Sequence, residues 1–381
     1  MSQVSMFSAA SGVIEAPDLW EKRLPAKYAA LCPRLVDTRG GVAWCAANQV
    51  GEPIEYPAAP IGDKGRTRAG KDDLAWLSTA DGRRWIQDRD GVDGEVLYST
   101  STVWDAINSS SDPKFILACY RAYNDWLGEL CAEDPDRFVG AAKIPTTGAE
   151  DATAELKRAV EKLKLRGVVL DAWPGGADTP PAMGECAAFW ETAAGLKTPI
   201  GLYRPLNGDR EPDIGIAGGA TPEFYQDMTT IIYANIPDKN PAIRFVSVAP
   251  NAGWAPQSFE ALSESYMRTA ALRKVNLGDP DLLPSDYLRR YFYFVTQDDR
   301  TTLLNRSYFG DAHLMWGSFA FMGVDSFWPN TRQLFERLTG GMPDDVRQRI
   351  AGDVVRSLYG LAESKPFTQA EINDYARYAL I

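Results

Sequence analysis

Eight short runs of apolar and β-branched residues recur along the chain, separated by amphipathic stretches with helical spacing, and that alternation is the mark of βα units around a parallel sheet. The runs are Phe7–Val13, Gly94–Thr100, Phe138–Ile144, Gly167–Trp173, Pro199–Pro205, Phe245–Ala249, Tyr291–Gln297 and Leu314–Phe321. Eight units in 381 residues predict an α/β fold of the (β/α)8 TIM-barrel type, a single domain over residues 1–381 whose chemistry belongs at the C-terminal ends of the strands. The helices are expected at Asp112–Cys131, with Phe115, Cys119, Tyr123, Trp126, Leu127 and Leu130 on one stripe, and at Asp151–Leu165, closed by Gly167. Between the first two strands, residues 16–90 are rich in Pro, Gly and charge and contain the hairpin-like RLVDTRGGVAW, so an inserted subdomain beside the barrel mouth is predicted.

Charge and cysteine and histidine counts then remove whole classes of function. Forty basic against fifty-one acidic residues leave a net charge of −11, which repels phosphate backbones and anionic lipid, so neither a nucleic acid nor a membrane is an expected partner. No apolar run approaches 18 residues and the first dozen residues lack the basic and apolar regions of a signal peptide; a cytoplasmic protein is predicted. Five cysteines without a CxxC pair suggest core thiols. His313 is the sole histidine, which rules out a two-histidine metal site.

Several segments, taken together and in order, carry a family likeness: VIEAPDLWEKRLPAKY, WIQDRDGVDGEVLYST, YNDWLGELCAEDPDRFVGAAKIP, LKLRGVVLDAW, FVSVAPNAGWAP, FVTQDDR, HLMWGS with WPNTR, and RSLYGL. The chain resembles the amidohydrolase superfamily, in the branch of aminocarboxymuconate-semialdehyde and γ-resorcylate decarboxylases, and the resemblance implies a homodimer. Where that family places its metal ligands and proton-transfer groups, this chain carries Ala10 and Gly12 on the first strand, Tyr203 on the fifth, Ala249 on the sixth and Phe319 on the eighth, with Met322 nearby. Ala, Gly and Phe offer no donor to a cation, so the resemblance implies a divergent member with no metal at the usual place, no cofactor, and a roomier, more apolar mouth.

Surviving polar residues at strand ends supply the candidates for chemistry. Tyr203 can act as an acid or a hydrogen-bond donor, and Arg204 can clamp a carboxylate. Lys143 ends an apolar strand and either works as a base or Schiff-base lysine or extends outward to water. Glu15, which matches a family residue near the metal, is a free base or a relic; Asp171, Asp298 and Asp299 are further carboxylates, with an architectural role favoured for the QDDR segment. Thr100 could help bind an oxyanion, and Trp173, Phe321, Phe319, Gly12 and Ala249 would line the substrate space. GIAGG at 215–219 fits a mobile lid better than a phosphate cradle, and His313, preceding the eighth strand, belongs to the face that serves stability.

These residues point to a metal-independent enzyme, a lyase, hydrolase or cyclase of secondary metabolism, acting on an aromatic or polyketide-like small molecule with or without a carboxylate. The alternative is a non-catalytic small-molecule-binding or scaffold protein of the same fold.

Overall fold

Each of the eight apolar runs contributes a strand to one parallel sheet. A computed structural model describes residues 4–54, 70–99, 102–176, 184–203, 222–248, 251–273, 276–310, 312–322 and 326–361. Its strands are β1 (Phe7–Val13), β2 (Arg34–Thr38), β3 (Gly41–Ala46), β4 (Gln49–Pro53), β5 (Gly94–Ser99), β6 (Phe138–Lys143), β7 (Gly167–Leu170), β8 (Ile200–Leu202), β9 (Phe245–Ser247), β10 (Phe292–Thr296) and β11 (Leu314–Trp316). The parallel sheet runs β1-β5-β6-β7-β8-β9-β10-β11. Its two ends meet through the segment after β11: the Phe319 amide donates to the Ala10 carbonyl (2.9 Å), and the Gly12 amide to the Ala320 carbonyl (2.7 Å). The fold is a (β/α)8 barrel.

Period-two alternation decides what fills it. Val96, Val139, Val169, Val246, Val295 and Met315 point inward and pack together, and Val354, Val355 and Tyr359 from the last described helix join the same cluster. The Tyr98 hydroxyl, inside the barrel, bonds that of Tyr359 at 3.0 Å. The intervening positions face the helices and form the larger outer core.

The helix Pro113–Ala132 starts where Asp112 accepts from the amides of Lys114 and Phe115, with Pro113 in the first turn, where its missing N–H costs nothing. Its apolar stripe is buried as the spacing requires. The following helix ends earlier than expected, at Glu161, and Gly167 does not close it. Gly167 opens β7 instead, where a Cβ would come within 2.8 Å of the Tyr359 ring; the turn is made by Lys164 in the left-handed region, φ 60°. Several strands are also shorter than the apolar runs, because their last residues turn into the loops of the mouth: β9 ends at Ser247 and β11 at Trp316.

Within residues 16–90, β2, β3 and β4 form an antiparallel sheet of their own. The β2–β3 turn is fixed by the Thr38 hydroxyl, which donates to the Gly41 carbonyl (2.7 Å) and accepts from the Gly40 amide (3.1 Å).

Candidate functional site

The alternation that turns Val139 and Ala141 into the barrel brings Lys143 in after them, at the C-terminal end of β6. Its backbone is held on both sides by one side chain: Asn124, fully buried on Pro113–Ala132, accepts from the Lys143 amide and donates to the Lys143 carbonyl, each at 2.9 Å. The ammonium does not extend to water. It is 2 % exposed, pairs with the Asp171 carboxylate just past β7, and lies 4.8 Å above the Trp104 ring. Trp104 is fixed by the rings of Trp20, Tyr120 and Tyr123 at 4.7–5.9 Å. The outward reading of Lys143 therefore fails, for a physical reason: a counter-charge and an aromatic face await it inside.

Glu15 joins this cluster from the end of β1. It is 3 % exposed, and its Oε1 accepts from the Ser99 hydroxyl, which in turn accepts from the Trp104 indole N–H. Burial pushes the Glu15 carboxyl up to about 7, while the Ser99 hydrogen bond and the charge of Lys143 oppose the rise. Burial likewise holds the Tyr123 phenol well above its ordinary range, with the charges of Glu15 and Asp171 adding to the shift. One oxygen of Asp171, Oδ1, is buried with no hydrogen-bond partner. Around neutral pH the cluster therefore has a carboxyl that gains or loses a proton readily beside a buried lysine–aspartate pair, one of whose carboxylate oxygens makes no hydrogen bond.

The other expected residues are placed differently. Tyr203, half-buried after β8, packs against the barrel interior. Trp173 is buried in the outer core. Asp298 is exposed, while its neighbour Asp299 is architectural, accepting from the amides of Ala252, Gly253 and Thr302 at 2.9–3.0 Å. Thr100, Arg204, Ala249 and the 215–219 glycines lie outside the described residues. His313 sits at the start of β11; its Nδ1 is 2.8 Å from the Phe292 carbonyl, its ring stacks on Tyr293, and burial lowers its pKa.

The expected roomy mouth at Gly12 is corrected. A Cβ on Gly12 would lie 2.0 Å from the Phe321 carbonyl oxygen, because the 318–322 segment crosses directly over β1. Phe319, 5 % exposed with φ 51°, reaches toward Gly317 and Ala10. Phe321 (φ 60°) packs tilted against Trp328, ring centroids 5.2 Å apart, and does not line an open space above Gly12. The volume given up at Ala10 and Gly12 is thus occupied by the chain itself. Beneath it, Arg83 donates to the Gly12 carbonyl and to Glu95 (2.7 Å each), and Ser8, Ser11 and Ser318 hydrogen-bond one another. Among the described residues no three His, Cys, Asp or Glu side chains are grouped to hold a metal ion. A cation does not fit where Ala10, Gly12 and Phe319 stand.

These groups gather at the C-terminal ends of the strands of a (β/α)8 barrel. The family model described as Amidohydrolase matches residues 104–361, and the chain belongs to that family. It is 26% identical over 245 residues to the gamma-resorcylate decarboxylase of Polaromonas sp. (strain JS666 / ATCC BAA-500), a match covering 59% of this chain and 71% of the relative. It is 30% identical over 139 residues to that of Rhizobium radiobacter, covering 35% and 42%. Among solved structures it is similar to 5-carboxyvanillate decarboxylase LigW from Sphingomonas paucimobilis (TM-score 0.67, 18% identity, 94% of this chain and 100% of the other). It is also similar to the dihydroxybenzoic acid decarboxylase of Polaromonas sp. JS666 with bound manganese and 2-nitroresorcinol (TM-score 0.67, 18% identity, 95% and 98%). No helix among the described residues is long and apolar enough to cross a membrane.

The sequence alone did not single out Ser99, Trp104 or Asn124. Asn124 left a trace, as an amide beside the apolar stripe of a helix whose other polar residues face solvent.

Proposed function

We propose that the chain is a metal-independent lyase acting on an aromatic, carboxylated small molecule at the C-terminal mouth of the barrel, with Glu15 as its proton donor and Lys143 as the charge that holds the substrate carboxylate. The observation that carries the reading is the buried Lys143–Asp171 pair beside Glu15. Removing such ions from water costs several kcal/mol per ion, and clustered charges of this kind with a raised carboxyl pKa are characteristic of chemical sites. Similarity to decarboxylases of aromatic acids supports the substrate class. In the step envisaged, the ammonium of Lys143 attracts the substrate carboxylate, Glu15 delivers its proton to the ring carbon that bears it, and the C–C bond breaks to release carbon dioxide. Glu15 is then reprotonated from water. Asp171 orients Lys143, Tyr203 offers a phenol from β8, and Arg204 is assigned to an anionic group of the substrate.

The test is release of carbon dioxide from 2,6-dihydroxybenzoate and related hydroxybenzoates, with and without a chelator. Turnover should survive the chelator, and Lys143→Met should lower kcat by about 100-fold or more, the usual cost of removing one preorganised group that stabilises charge at the reacting centre. Activity lost to the chelator and restored by manganese would overturn the metal-free assignment. Full activity in Lys143→Met would remove Lys143 from the chemistry, and binding without turnover of any substrate would favour the non-catalytic alternative.

A further inference from the structure

At the opposite, N-terminal end of the barrel, a cavity of about 1250 Å³ opens between the C-terminal ends of four helices and the segments that lead into β6, β7 and β8. Its walls are apolar, including Phe138, Leu163, Leu165 and Leu358, but its rim is cationic, with Lys162, Lys164, Arg166 and Lys197. The two acids that line it are already engaged, Glu129 with Arg23 and Asp125 with Arg158. Lys162, Lys164 and Lys197 make no ion pair among the described residues, on a chain of net charge −11.

A further observation separates this from an ordinary scatter of surface lysines. Lys164 and Lys197 both take left-handed backbone, φ 60° and 53°, in the turns that lead into β7 and β8, where glycine or asparagine is the unstrained choice. Strain held at matching places in consecutive βα units, each time delivering a lysine to the same cavity, is what a ligand requirement would leave behind.

We infer that this cavity is a binding site for a small soluble amphipathic anion, a phosphate or carboxylate on a short apolar body. The anion would lie between Lys164 and Lys197, and the apolar part against the leucines. Tyr359 forms part of the wall, and its hydroxyl bonds Tyr98 inside the barrel, one residue before the Ser99 that holds Glu15. The site is therefore placed to influence the mouth, although its occupancy does not rest on the function proposed there.

Hexyl phosphate, with hexyl glucoside as its neutral counterpart, is the probe, followed by isothermal titration calorimetry on the full chain. The expected result is one site per chain for hexyl phosphate, weakened by salt, and no binding of the glucoside. Because glycine suits a left-handed residue, Lys164→Gly with Lys197→Gly should fold with an unchanged or higher Tm yet bind hexyl phosphate at least tenfold more weakly. Lys143→Met should bind it like the parent. The inference is overturned if the glycine variant binds as the parent does, if the glucoside binds equally well, if Lys143→Met abolishes binding, or if the parent does not bind hexyl phosphate at all.

Discussion

Replacing Glu15 by Gln isolates the energetic consequence of a carboxyl buried in the mouth. Its pKa lies near 7 in the folded chain against an ordinary 4.5, with burial as the main cause. Between those values the folded state holds the proton more tightly than the unfolded state. The associated stability is therefore fully present below pH 4.5, falls as the pH rises toward 7, and levels off above. A gap of about 2.5 pH units corresponds to roughly 3 kcal/mol, of which about 2 kcal/mol or slightly more falls between pH 5 and pH 8. Gln keeps an oxygen to accept from Ser99 and does not titrate. Asp90, which burial lifts to about 7 where it accepts from Thr331, behaves in the same sense in both proteins and cancels in the comparison. At about 2 °C per kcal/mol for a chain of this size, the Tm of the parent should drop between pH 5 and pH 8 by some 4–5 °C more than that of Glu15→Gln. Thermal melts followed by circular dichroism at the two pH values give the answer. Equal pH slopes in the two proteins would show that Glu15 is not held as a buried acid, and the proton-transfer role would go with it.

Asp171→Asn leaves the Lys143 ammonium buried without its counter-charge and should cost about 3–5 kcal/mol, much of it recovered when Lys143→Met is added; thermal melts of the single and double variants check this. Gly12→Ala should destabilise by about 1–3 kcal/mol or expose hydrophobic surface to a dye, because its Cβ meets the Phe321 carbonyl; an unperturbed melt would mean that the 318–322 segment is displaced easily. His313→Ala should lower stability by about 1 kcal/mol through loss of the Phe292 hydrogen bond and the Tyr293 stack while leaving kcat within a factor of two, as measured by melts and steady-state assay.

The barrel was legible because its determinants are local. The run Phe7–Val13 forms a strand with those bounds, Asp112 caps its helix, and the turn after Thr38 falls where the glycines sit. Strand exits were less so: nothing in Leu314–Phe321 reveals that the strand stops at Trp316 and that the residues beyond it return to pair with Ala10 and Gly12, since that depends on two segments about 300 residues apart. The same holds at the mouth. Lys143, Glu15 and Asp171 were individually visible at strand ends, but their assembly depends on Asn124 bracketing a backbone and on Trp104 offering its ring to one residue and its N–H toward another. Such contacts leave no periodicity to read.

The passage of residues 318–322 over β1 also bears on which side chains this barrel admits at position 12. A histidine at position 12, where the family resemblance places one, has no room while the Phe321 carbonyl stands 2.0 Å from the first side-chain atom it would need. Moving that carbonyl would break the Gly12–Ala320 and Phe319–Ala10 hydrogen bonds that join the ends of the sheet. A histidine placed there by a single substitution would thus unseal the barrel. Residues 318–322 therefore act as a latch: a side chain can be added at position 12 only together with changes that free the ends of the sheet.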